Sequence, residues 1–176
     1  MRMFTALELP ERFADDVSAL ARRLEAVVEG RFVPREARHL TLAFLGDVPK
    51  ADALVAADAL EAACAEVPRI PLRAAGLGAF GRKDDATLWL GIARSPELEH
   101  LAARLREELA ARELSFDGKP FKPHVTLARR ARIPRGDLPP LPFPLADQAE
   151  TATLFKSTLR RDGAVYEPLR SVRLVG

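Results

Sequence analysis

Two short stretches of this chain repeat a set of residues able to move protons. His39-Leu40-Thr41-Leu42 and His124-Val125-Thr126-Leu127 share the pattern His-x-Thr-apolar, and they use two of the chain's three histidines. Side chains alternate faces along a strand, so in an extended segment His39 and Thr41 point one way and Leu40 and Leu42 the other. The same holds for His124 and Thr126 against Val125 and Leu127. Each stretch then has an apolar face for a core and a polar face with one imidazole and one hydroxyl. Two such strands side by side would gather two imidazoles and two hydroxyls in one cleft. Imidazole titrates near ~6.5, so one ring can be neutral and the other charged near neutral pH. Displacement at phosphorus needs that pair: a base for the nucleophile's proton and an acid for the leaving oxygen, together with donors for the non-bridging oxygens.

The surrounding pattern supplies elements to hold these strands. Arg2 to Leu9 reads as a strand. Pro10 opens a helix to about Glu29, with Phe13, Val17, Leu20, Leu24, Val27 and Val28 on one stripe and Gly30 as its stop. Phe32 to Pro34 and His39 to Leu45 read as extended. A second helix runs from Pro49 to about Val67, packed by Leu54, Leu60 and Cys64. Ile70 to Phe80 and Ala86 to Ile92 read as strands around the turn GRKDD. Ser95-Pro96 caps a third helix to about Glu113, with Leu98, Leu101, Leu105 and Leu109 inward. Phe116 and Val125 to Ala128 are extended, Pro134 to Pro144 is a proline-rich loop, and Ala152 to Arg160 with Val165 to Leu174 form a strand pair around RRDG. A long amphipathic helix precedes the His-x-Thr segment in each half. The expected fold is α+β and bilobal with a pseudo-twofold axis. Antiparallel β-sheets line a central cleft, and helices pack outside. On a regular strand Phe44 shares the face of Leu42 and belongs to the core.

Bulk properties narrow the class. The 176 residues suit one two-lobed domain over 1–176, and 48% hydrophobic with 30% charged residues is a globular composition. No segment is apolar enough to span a membrane, and MRMFTALELPER lacks a secretory leader's apolar run. A single cysteine, Cys64, rules out an internal disulfide and points to a buried structural thiol and a cytoplasmic address. The net charge of +2 is modest, yet Lys119, Lys122, Arg129, Arg130, Arg132 and Arg135 form an acid-free run around His124. A local positive field there suits a phosphate substrate. His100 lies on the third helix beside Glu97 and Glu99 and reads as a solvated residue.

HLTLAFLGDV and KPHVTLAR resemble the two signatures of the 2H phosphoesterases, in particular the branch of RNA 2′,3′-cyclic phosphodiesterases, also described as 2′-5′ RNA ligases. The opening MRMFTALELP and the strand LWLGI fit as well, so the resemblance spans nearly the whole chain. It implies hydrolysis of a terminal 2′,3′-cyclic phosphate on RNA to a 2′-phosphomonoester, with neither cofactor nor metal. His39 would act as proton donor to O3′ and His124 as proton acceptor from water. Thr41 and Thr126 would hold phosphate oxygens, and Arg130, just past the second motif, is the first candidate for a further hold on the phosphate. The partner implied is an RNA end, such as a tRNA fragment or short oligonucleotide, acted on by a monomer.

Other readings are weaker. The same cleft run backwards would be an ATP-independent 2′-5′ RNA ligase, since no nucleotidyl-accepting Lys-x-Asp-Gly tetrad and no P-loop is found. A non-catalytic RNA-binding module has little support at 6% aromatic residues. A zinc site lacks an evident third ligand near the two histidines.

Overall fold

The computed structural model describes residues 1–175. In chain order it runs β1 (Arg2–Glu8), α1 (Glu11–Glu25), β2 (Glu29–Phe32), β3 (His39–Asp47), α2 (Asp52–Cys64), β4 (Ile70–Leu72), β5 (Ala74–Arg82), β6 (Asp85–Ile92), α3 (Pro96–Ala111), β7 (His124–Arg132), β8 (Asp147–Ala149), β9 (Thr151–Arg160) and β10 (Gly163–Arg173). A 3-10 turn at Arg35–Ala37 leads into β3. The fold is α+β, as expected.

One large antiparallel sheet carries the order β10-β9-β1-β3-β7-β6-β5, with β2 also on β7. Its two halves meet where Leu40 of β3 pairs with Val125 of β7, the central residues of the two His-x-Thr triplets. The pseudo-twofold axis passes through that pair. The antiparallel sense then directs His39 toward Thr126 and Thr41 toward His124. The chain crosses over around this axis. β2, which precedes β3, pairs with the far half of β7 through Phe32 and Ala128. In return the segment preceding β7 lies on β3, where the Asp117 N–H donates to the Phe44 carbonyl at 2.8 Å.

Leu40, Leu42, Val125 and Leu127 belong to one hydrophobic core with the stripes of the helices: Phe13, Val17, Leu20 and Leu24 of α1, Leu60 of α2, and Leu98, Leu101, Leu105 and Leu109 of α3. Each such side chain contributes roughly 1.5–3 kcal/mol by leaving water. The apolar residues of the motif strands are thus held by the helices, and their polar residues are left to the opposite face. Ser95 caps α3 as expected, its hydroxyl accepting from the Leu98 N–H at 3.2 Å.

Several boundaries differ from the sequence reading. α1 ends at Glu25, and the chain then enters β2 at Glu29. Gly30 does not terminate the helix; it allows β2 to lie against β7, where a Cβ at that position would meet the Ala131 Cα at 2.9 Å. The expected Ile70 to Phe80 strand divides at Arg73: β4 leaves the main sheet to pair with the short strand β8 beyond the proline-rich loop.

Candidate active site

Both motif strands break their alternation at the same place. β3 faces β1 through Ala6–Thr41 and then Thr5–Ala43, leaving Leu42 as an extra residue. β7 faces β6 through Trp89–Thr126 and then Leu88–Ala128, leaving Leu127 as the extra one. A bulge of this kind shifts the facing of every residue after it. The Leu-Ala pairs Leu42-Ala43 and Leu127-Ala128 therefore both turn into the core. The sixth residue of each motif, Phe44 or Arg129, comes round to the face of the histidine and threonine.

This corrects two expectations. Phe44 is not a core residue: it lines the cavity that also holds His39, Thr41, Arg129 and Tyr166. Arg130 does not line that cavity. It takes a left-handed φ of 53° and points its guanidinium toward Asp85 at 3.8 Å, with the side chain 80% exposed. Of the two adjacent arginines Arg129 is the one in the cleft, where Arg2 also lines the cavity with its guanidinium 4.7 Å over the Phe44 ring. A depression on the other side of Thr41 and Phe44 contains His124, Phe80 and Lys122. Thr126, across the ladder from Trp89, is half-buried on the same face.

The two imidazoles are held alike. His39 Nδ1 donates to the Ala37 carbonyl at 2.9 Å, and His124 Nδ1 donates to the Lys122 carbonyl. A carbonyl oxygen only accepts, so each ring carries its hydrogen on Nδ1 when neutral and directs Nε2 away from that anchor. His39 Nε2 accepts from the Thr41 hydroxyl at 3.0 Å. The 3-10 turn before His39 is itself tied down by Arg38, which donates to the Val33 carbonyl and the Ser18 hydroxyl.

Their walls are different. His39 stacks on Phe4 at 4.7 Å and meets the edge of Tyr166 at 5.3 Å. His124 sits 5.3 Å from Phe80 and 5.6 Å from Trp89, and the Lys122 ammonium lies 4.9 Å over that indole. Gly78 makes room for the Trp89 ring, which a Cβ there would meet at 2.1 Å. Burial pushes His39 down to about 4, assisted by the charges of Arg129 and His124 and opposed by the Ala37 carbonyl. Burial also lowers His124, as do the Lys122 and Arg129 charges, against the Lys122 carbonyl. Both rings are therefore biased toward the neutral form while no anion is bound.

Outside the cleft, Cys64 is buried and its thiol is pushed up to about 12, which suits packing rather than nucleophilic attack. His100 is exposed on α3. Among the described residues, no group of three or more His, Cys, Asp or Glu side chains gathers at one point. Arg129, Phe44, Phe4, Tyr166 and Arg2 are among the cleft residues that sequence reasoning did not assign. For the first two a signal was present, because the matched pattern extends to His-x-Thr-Leu-Ala.

The profile of the 2′-5′ RNA ligase superfamily matches residues 9–137. A Thermus thermophilus protein described as an RNA 2′,3′-cyclic phosphodiesterase is 36% identical over all of this chain and 91% of its own length. An Escherichia coli K12 protein of the same description is 31% identical over 96% of this chain and 94% of its own length. Among solved structures, TT0787 of Thermus thermophilus superposes with a TM-score of 0.85 at 28% identity, covering 100% of this chain and 99% of that one. E. coli LigT complexed with 3′-AMP gives a TM-score of 0.78 at 29% identity, with 99% and 98% covered. The doubled motif, the paired strands and these likenesses agree: the chain belongs to the 2′-5′ RNA ligase superfamily, of 2H phosphoesterase fold.

Proposed function

We propose that this chain is an RNA 2′,3′-cyclic phosphodiesterase, with His39 and His124 as its acid–base pair. The observation that carries the assignment is the twin anchoring of the histidines. Each ring is fixed through Nδ1 to the carbonyl two residues earlier, and the two stand on strands that meet at one residue pair. Water attacks phosphorus as His124 Nε2 takes its proton. The P–O3′ bond breaks, His39 Nε2 delivers a proton to O3′, and the phosphate stays on O2′. Thr41 and Thr126 donate to the non-bridging oxygens, and Arg129 offsets the charge that builds on them.

The low proton affinity of His39 sets a condition on this scheme. An acid must be charged when it acts, and His39 is pushed down to about 4 in the open cleft. A bound phosphodiester anion reverses the balance by favouring imidazolium and by neutralising Arg129. Substrate binding thereby loads the acid. Nothing in the step calls on ATP or a metal ion.

No helix is long and apolar enough to cross a membrane. A lone, buried Cys64 is in keeping with a reducing cytoplasm, and one chain over 1–176 supplies both motifs, in keeping with a monomer made of one two-lobed domain. The test is turnover of an oligoribonucleotide ending in a 2′,3′-cyclic phosphate. His39→Ala and His124→Ala should each lose about 10²–10⁴-fold with the fold intact by circular dichroism. Wild-type rates in either variant would overturn the assignment.

A further inference from the structure

The catalytic cavity does not end at His39. It opens into a groove between β2 and the β9–β10 turn, and the two share Arg129, Leu159, Ala164 and Tyr166. That groove adds Arg31 from one side and Arg160 from the other. Arg31 is the direct cross-strand partner of Arg129 in the β2–β7 ladder. Two like charges opposite each other destabilise a strand pair unless an anion lies between them. Neither Arg31 nor Arg160 takes part in an ion pair among the described residues. Asp162, at the tip of the turn, is the groove's one acidic residue.

The other end of the cleft has a different character. There Phe44 and Phe80 flank the opening, and the Lys122 ammonium is already engaged over Phe80 and Trp89. Aromatic faces suit a base, whereas exposed guanidinium groups suit a phosphate. Arg129 at the junction belongs to the reacting phosphate. Arg2, the other guanidinium of the catalytic cavity, is engaged over the Phe44 ring and does not line the groove, so the next anion along the groove falls to Arg31 and Arg160.

We infer that the groove formed by Arg31, Arg160 and Tyr166 holds the phosphodiester on the 5′ side of the terminal nucleotide, which makes an RNA strand, rather than a cyclic mononucleotide, the preferred substrate. The inference rests on the cyclic phosphodiesterase reading and adds a direction to it: the strand leaves over β2 and the β9–β10 turn.

The experiment compares two substrates, a 2′,3′-cyclic mononucleotide and a trinucleotide with the same cyclic end. The double variant Arg31→Ala/Arg160→Ala should lose at least tenfold in kcat/KM on the trinucleotide and less than twofold on the mononucleotide. The slope of log(kcat/KM) against log salt for the trinucleotide should also flatten by about 0.7, the increment expected when one phosphate is no longer neutralised. Asp162→Asn should raise trinucleotide kcat/KM a few-fold. Equal losses on both substrates, or no loss on either, would overturn the inference and leave the hydrolase reading standing. Wild-type protein inert toward both substrates would overturn the two together. Mononucleotide turnover also shows that each variant is folded.

Discussion

β3 and β7 use the same backbone device and surround it with different chemistry. Each starts with a histidine anchored two residues back, bulges at the same leucine, buries Leu-Ala and returns its sixth residue to the cleft. On β3 that residue is Phe44 and the histidine is set deep against Phe4 and Tyr166. On β7 it is Arg129, and the histidine lies beside Lys122, Phe80 and Trp89. The backbone anchors the two imidazoles alike, while the walls differ, and burial lowers both rings, His39 down to about 4. In the open cleft the deeper burial of His39 disfavours its charged form, so its role as acid depends on a bound phosphate anion that favours imidazolium.

The largest effect should come from breaking both halves together. The double variant His39→Ala/His124→Ala should be no more than about tenfold slower than either single variant, because residues acting as a unit are non-additive. Multiplying losses in single-turnover rates would mean that the two strands act independently.

Next comes the arginine side. Arg129→Ala should lower kcat by about 10²-fold, the scale of one transition-state donor, whereas Arg130→Ala should stay within about twofold. Steady-state rates with both variants decide which of the adjacent arginines faces the reaction. A smaller change is expected at the hydroxyls. Thr41→Val and Thr126→Val should each cost about tenfold, one charge-assisted hydrogen bond.

The burial of His39 can be read from pH. His39 binds its proton more weakly in the folded chain than in the unfolded one, where histidine titrates near 6.5. Between pH 6.5 and about 4 the unfolded chain therefore holds more protons, and stability falls as pH falls through that window. The full drop is up to about 3 kcal/mol, and His39→Gln should flatten it in urea melts. Arg129→Gln removes a charge that lowers both rings, so its kcat/KM profile should shift to higher pH. An unshifted profile would separate Arg129 from the histidines.

Much of this was legible in the residues. The apolar positions from Phe13 to Leu24 of α1, the stripe of α3, the Ser95 cap and the alternation at His39–Thr41 and His124–Thr126 are local signals, and each stands where its period places it, whereas Val27 lies past the end of α1 and is exposed. The bulges are not local. They arise because β1 and β6 fix the register of their partners, and nothing within HLTLAF alone states that Leu42 and Ala43 face the same way. Strict alternation therefore sent Phe44 to the core, and position just past the second motif, rather than facing, put Arg130 forward in place of Arg129. Gly30 misled for a related reason: a glycine that permits close strand approach has the same letter as one that ends a helix. Tyr166 and Phe4 come from strands at opposite ends of the chain, and only the sheet order brings them to His39.

The most direct measurement of the central claim is the position of the product phosphate. An oligoribonucleotide with a 2′,3′-cyclic phosphate end would be incubated with the protein in excess EDTA and without nucleotide, and 2′- and 3′-phosphate ends resolved. The account predicts a 2′-phosphate end, formed at full rate under EDTA and lost in both histidine variants. A 3′-phosphate end would contradict the assignment of O3′ as leaving group. Turnover abolished by EDTA and restored by added metal would contradict the two-histidine mechanism itself.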